Sequence, residues 1–159
     1  MKSLQEQDPD LYGEIFVDNS YNVKEEEIKG NVVFDLGANK GFFTLLCAKY
    51  GAKEIISVEA QPEVFNKYLR ENTVSISGSR ILNLAVTDKT GDEVQLSNKD
   101  TGSSLFVNHE YGLGEKVETI CLKDLVERYG KKESDMVLKL DIEGSEYDIL
   151  MNVDRDLIR

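Results

Sequence analysis

Two clusters in this 159-residue chain carry residue types that do chemistry. The first is Asp35-Leu36-Gly37-Ala38-Asn39-Lys40-Gly41, where an acid and two glycines separate an apolar run from a helical pattern. Glycines let backbone approach a ligand closely. The N–H groups opening the following helix favour a negative group. Asp35 at the mouth would repel a bare pyrophosphate, and the spacing is G-x-x-x-G rather than the dinucleotide G-x-G-x-x-G. An acid beside an anion-friendly helix start suits a zwitterion: its ammonium meets Asp35, directly or through water, and its carboxylate meets the amides. Glu59 follows 18 residues after Gly41, where a carboxylate can accept from both hydroxyls of a ribose, as in NAD sites. A ligand joining ribose to an amino acid is S-adenosyl-L-methionine. The bland alternative for G-x-x-x-G is tight packing of a helix on a strand.

The second cluster is "KLDIEGSE", residues 139–146. Lys139 stands in an apolar strand, where an unpaired ammonium is costly. Residues two apart share a strand face, so Lys139, Asp141 and Glu143 are expected to point one way. Charges at the carboxyl end of a buried strand are candidates for function; the alternative is a structural ion pair. His109, in a polar glycine-containing stretch, is a distant third candidate. No Cys/His spacing suggests a metal site, and none is assigned.

The elements that must position these clusters read as alternating strands and helices. Residues 31–36 form a buried strand bounded by Gly30 and Gly37, and residues 40–50 a helix stopped by Gly51. Residues 54–60 form a second strand, and Pro62 opens a helix. Residues 80–86 read as a third strand. From 87 to 120 turn signals suggest hairpins. "VETICLKDLVERYG" leads from a strand into a helix that stops at Gly130. Residues 135–144 are a fourth buried strand, followed by a helix capped by Ser145. Within residues 1–30, "GEIFVDNSYNV" reads as an edge strand or a lid and "KEEEIKG" as a charged turn or short helix. Strand–helix alternation is the signature of an α/β fold, a parallel sheet with helices on both faces. Its ligands sit at the carboxyl ends of the strands.

Composition narrows the partners. The net charge of −11 comes without a basic stripe, which argues against a nucleic-acid partner. No apolar run reaches the ~20 residues of a membrane span, and the first residues lack a signal-peptide core. Cys47 and Cys121 read as buried thiols of a reducing, cytoplasmic compartment. The sequence does not fix the oligomeric state.

The segments "VVFDLGANKGFFT", "ISVEAQPEVFNKYLREN", "LNLAVTDKTGD", "SSLF", "VETICLKDLV" and "LKLDIEGSEYDIL", in this order, resemble the FkbM family of S-adenosylmethionine-dependent methyltransferases, from about Gly13 to Met151. The resemblance implies a Rossmann-like class I methyltransferase fold and O-methylation of a hydroxyl on a sugar or small metabolite. It implies a cofactor loop of Asp35, Gly37, Ala38, Asn39 and Gly41, with Glu59 as the ribose acid and Ala60 beside it as a further cofactor-binding position. Asn83 and Ala85 fall on the adenine side. Asp141 and Glu143 form an acidic pair facing the methyl group and the acceptor, with Asp141 also at the cofactor. The family pattern continues for three more strands, so the expectation is an N-terminal extension or lid over residues 1–30 and a C-terminally incomplete methyltransferase domain over residues 31–159. A nicotinamide oxidoreductase and a non-catalytic cofactor-binding module are the rival readings.

Overall fold

The computed structural model describes residues 3–97, 113–130, 135–142 and 146–152. Its centre is a four-stranded parallel sheet in the order β3-β2-β1-β7. These strands are β1 (Val32–Leu36), β2 (Glu54–Val58), β3 (Ser79–Leu82) and β7 (Met136–Leu140). All five residues of β1 are buried. Four of them, Val32, Val33, Phe34 and Leu36, are apolar and lie on both pleat faces, as a strand covered by helices on both sides requires.

One face of β1 carries Phe34 and Leu36. They pack with Ile56 and Val58 of β2, with Leu122 and Leu125 of α7 (Leu122–Tyr129), and with Ile149 of α8 (Glu146–Asn152). On the opposite face Val33 packs with Phe42, Phe43, Leu46 and Cys47 of α4 (Phe42–Lys49). Burial, with Asp35 nearby, pushes the Cys47 thiol up, so it stays neutral.

The N-terminal segment covers the same face. It runs through α1 (Leu4–Gln7), α2 (Pro9–Tyr12), a π-helical turn over Gly13–Val17 and α3 (Glu25–Ile28). Ile15, Val23 and Ile28 are buried against α4 and β1. The stretch expected as an edge strand or a lid is therefore helical, not a strand, where "GEIFV" stands. A single apolar anchor, Ile15, is buried there, while Val17 is 71% exposed, so no sheet face competes for alternate residues.

The third strand departs from expectation too. Residues 80–86 do not form one strand: β3 ends at Leu82, and β4 (Ala85–Thr87) belongs to a second sheet with β5 (Glu93–Ser97) and β6 (Leu113–Cys121), in the order β4-β6-β5. Asn83 makes the break. Its side-chain amide donates to the carbonyls of Glu59 and Ala60 at 2.8 and 3.0 Å, a tertiary demand that overrides local strand preference. The expected hairpin is the antiparallel pairing of β5 (Glu93–Ser97) with β6 (Leu113–Cys121). The helix after Pro62 consists of α5 (Pro62–Val64), a π-helical turn over Phe65–Leu69 and α6 (Arg70–Thr73). The fourth strand stops at Leu140, short of the expected residue 144. Glu143 and the capping position Ser145 lie outside the described residues, as does His109.

Candidate active site

The site forms where β1, β2 and β7 end. Beyond Leu36 the chain turns through Gly37 and Gly41 with φ of +79° and +81°. Gly37 is required twice over: its φ is left-handed, and a Cβ there would stand 1.7 Å from the carbonyl oxygen of Asp141. The turn is pinned from both neighbouring strands. The N–H groups of Gly37 and Ala38 donate to the carbonyl of Val58, each at 2.9 Å. From the other side the Lys139 ammonium donates to the carbonyl of Gly37 at 2.6 Å.

Asp35 is not at the mouth. It is fully buried and does not line the cavity described below. Strand alternation explains this: Asp35 shares a face with Val33, and that face lies under α4. Parallel register aligns Asp35 with Ser57 on β2 and with Lys139 on β7, and Thr44 of α4 closes over the row. The Thr44 hydroxyl donates to Asp35 Oδ2 at 2.7 Å and also lies 2.7 Å from the Ser57 hydroxyl. Asp35 Oδ1 accepts no hydrogen bond among the described residues. It meets Lys139 Nζ at 3.1 Å as an ion pair. Asp141, expected on the same strand face as Lys139, has its carboxylate farther away, at 3.9 Å. The closer, fully desolvated contact decides that Asp35 is the partner of Lys139.

The expected site residues then separate by place. Gly37, Ala38, Asn39, Glu59, Ala60, Ala85 and Asp141 line one cavity of about 820 Å³, within the ~300–1,000 Å³ typical of small-molecule sites. Gly41 stands behind the turn, under Leu69 and Thr73, and Asn83 acts on the backbone beneath Glu59. Glu59 is the most constrained group on the wall. Asn39 N–H donates to its Oε2 and Gln61 N–H to its Oε1, both at 2.8 Å. Burial raises its carboxyl above the usual range, and those two N–H groups hold the rise back.

Asp141 stands across the glycine turn from Glu59. Its N–H donates to the carbonyl of Leu36 at 3.0 Å. Its carboxylate, 52% exposed, accepts the Tyr21 phenol at 2.5 Å.

Sequence reasoning missed the wall built by the N-terminal segment. Asp8, Asp10, Leu11, Glu14, Ile15 and Tyr21 all face the cavity. Asp8 caps α2, accepting from Leu11 N–H at 3.0 Å, and pairs with Lys40 of the glycine turn at 2.7 Å. Burial opposes ionisation of Asp8, but Lys40 and the backbone donors outweigh it and lower its pKa. The Asp8-Pro9 pair was a readable helix-start signal. Nothing local in the sequence marks Tyr21.

Among the described residues, no group of three or more His, Cys, Asp or Glu is arranged to hold a metal ion, and no helix is long and apolar enough to cross a membrane.

Residues 35–159 match the family described as the methyltransferase FkbM domain. No curated protein matches the chain. Among solved structures, the chain is similar to PRMT6, with 30% identity over 35% of this chain and 17% of that one, at a TM-score of 0.31. It is also similar to phosphoethanolamine N-methyltransferase 1 from Haemonchus contortus, in complex with phosphoethanolamine and S-adenosylhomocysteine. There the identity is 20%, over 52% of this chain and 18% of that one, with a TM-score of 0.40. A third is an S-adenosylmethionine-dependent methyltransferase from Aquifex aeolicus, at 17% identity over 62% of this chain and 55% of that one, with a TM-score of 0.38. The chain thus spans 55% or less of the length of each of these structures. S-adenosylmethionine is the cofactor that membership of this methyltransferase family implies. The donor set fits it: an anchored carboxylate for a ribose diol, and an acidic wall for a ligand of net positive charge.

Proposed function

Because this chain belongs to the FkbM methyltransferase family, we propose that its cavity binds S-adenosylmethionine and carries out methyl transfer to a hydroxyl of a sugar or small metabolite. The observation that carries the reading is Glu59. Both of its oxygens are oriented by backbone N–H groups, so the carboxylate is preorganised, and each oxygen keeps a lone pair for a ribose hydroxyl. Ala60 and Ala85 supply small wall positions for the adenine side. The turn Gly37–Gly41 supplies backbone at close approach for the amino-acid end.

When bound, the cofactor supplies a methyl group already activated on sulfonium. The chain's own part is orientation, exclusion of water and proton removal. Asp141, two strands from Glu59 and therefore roughly 10 Å across the sheet, faces the amino-acid end of the ligand and the acceptor. It is the described carboxylate placed to take the acceptor's proton. Glu143, two residues on, is proposed as its companion, as the family pattern implies. Asp35 and Lys139 act one layer below, holding the carbonyl of Gly37 and hence the shape of the turn.

The wall's charge bears on the acceptor. Six acids, Asp8, Asp10, Glu14, Glu59, Glu63 and Asp141, face two lysines among the described lining residues. Lys40 is committed to Asp8 and Lys139 to Asp35. Such a wall favours neutral or cationic acceptors over phosphorylated ones.

Calorimetry with S-adenosylhomocysteine tests the cofactor reading, with NADH as the contrast. Binding of the first and not the second is expected. Glu59→Ala should weaken it roughly 10–150-fold, the equivalent of ~1.5–3 kcal/mol for hydrogen bonds to a charged group. Equal affinity in wild type and variant would remove Glu59 from the site. Radiolabelled methyl transfer to a panel of neutral sugars and phenols then addresses the acceptor.

A further inference from the structure

Tyr21 lies outside the family-matched residues 35–159, yet it makes one of the shortest polar contacts at the site. Its phenol donates to Asp141 Oδ2 at 2.5 Å, across 120 residues of sequence. Two further contacts fix the ring. It meets Phe43 edge-on, centroids 5.2 Å apart at 69°. The Lys139 ammonium lies 5.4 Å from its centroid, a cation–π distance. Both Tyr21 and Asp141 line the cavity. Burial, followed by the bond to Asp141, pushes the phenol upward, so it remains a donor.

Asp141 needs such a partner. Its backbone is set by the bond to Leu36, but β7 has ended at Leu140, and its side chain is half exposed. A carboxylate there is otherwise free to rotate about χ1 and χ2 toward solvent. Lys139 does not hold it, being committed to Asp35 and to the carbonyl of Gly37. The phenol occupies Oδ2 and leaves the other oxygen, Oδ1, to a ligand in the cavity that Asp141 lines.

We propose that Tyr21 is a positioning residue, which holds the Asp141 carboxylate against the amino-acid end of the cofactor. The proposal rests on the cofactor reading given above. It gives the N-terminal segment a share in ligand recognition beyond covering α4, because Tyr21 acts on the ligand through a residue that follows the far strand.

The test compares two probes that differ at one end. S-adenosylhomocysteine carries the amino acid, whereas 5′-methylthioadenosine keeps the nucleoside and sulfur but lacks it. Titration calorimetry is run on wild type, Tyr21→Phe, Asp141→Asn and the double variant. Phenylalanine keeps the ring against Phe43 and Lys139 and removes only the donor. Tyr21→Phe should weaken S-adenosylhomocysteine about 5–20-fold, at or below the low end of the loss of a charge-assisted hydrogen bond to the ligand because the effect passes through Asp141, and leave methylthioadenosine unchanged. The double variant should bind no more weakly than Asp141→Asn, since residues acting through one contact are not additive.

Wild-type affinity in Tyr21→Phe, equal losses for both probes, or losses that multiply in the double variant would each overturn the proposal. The cofactor reading fails separately, by an absence of S-adenosylhomocysteine binding in wild type or by its indifference to Glu59→Ala.

Discussion

Lys139→Met isolates the buried charge at the heart of the site. The side chain keeps its length, but Asp35, with no exposed surface, loses the cation 3.1 Å from Oδ1. Thr44 still donates to Oδ2, so one oxygen is left without any partner in a setting that cannot hydrate it. Removing one member of a buried pair costs about 3–5 kcal/mol, because the other charge is stranded. At roughly 2–4 °C per kcal/mol for a chain of this size, the melting temperature should fall by about 6–20 °C. The double variant Asp35→Asn with Lys139→Met removes both charges and should recover much of the loss. Asp141→Asn is the contrast: its carboxylate is half exposed and 3.9 Å from Lys139, so it should cost about 0–1 kcal/mol. Thermal melting by circular dichroism, checked against urea midpoints, reads all three. A Lys139→Met protein melting within two or so degrees of wild type, or a double variant no more stable than the single, would refute the assignment of Asp35 as the partner.

Glu59 gives a pH signature. Its folded pKa is raised above 4.5 by burial, so its contribution to stability is present below the unfolded value and lost as pH rises through the folded one; Glu59→Gln should flatten that loss in melting curves taken across the acid range. In the proposed site the ionised form is the ribose acceptor, so S-adenosylhomocysteine affinity should drop as pH falls through the raised value, and titration calorimetry at stepped pH would show no such drop if Glu59 stood outside the site. Gly37→Ala drives a Cβ to 1.7 Å from the Asp141 carbonyl at a left-handed φ; soluble yield and near-ultraviolet dichroism should both collapse, and a variant with wild-type melting would contradict the observed turn. With a net charge of −11, a gel shift at low salt, where phosphate-driven binding is strongest, should show no RNA or DNA complex; micromolar binding there would overturn the small-molecule acceptor.

The elements legible in the sequence were those whose local signals agree with their burial. β1 was bounded by glycines and apolar but for Asp35; α7 stopped at Gly130 with its Leu122 and Leu125 buried. Glu59 was legible because its position at a strand's carboxyl end was fixed once β2 was recognised. Asp35 was misplaced for a reason that strand geometry alone could have exposed: it alternates with the apolar Phe34 and Leu36 and so shares the α4 face with Val33. The Asp35–Lys139 pair was harder. Nothing in the chain says that residue 139 lies in register with residue 35 until the sheet order is known. Tyr21 belongs with it, since its partner is 120 residues away. The break at Asn83 was illegible for the same reason, a side chain answering to carbonyls on another strand's exit.

The adjacency of β1 and β7 also dictates an order of assembly. β1, β2 and β3 follow one another along the chain and pair with their neighbours after single crossovers, whereas the bond from Lys139 to Gly37 closes a loop of 102 residues. Closing so long a loop costs entropy before any contact rewards it, which slows parallel, non-local pairings. During synthesis, a nascent chain shorter than about 140 residues has its glycine turn without the lysine that holds it, and an Asp35 facing α4 with no counter-charge. Such an intermediate keeps its β1 edge open and its carboxylate unneutralised, so the arrival of β7 both seals the sheet and completes the cavity in one event. Binding competence and resistance to proteolysis should therefore emerge together, at the length of nascent chain that first frees Asp141 from the ribosome.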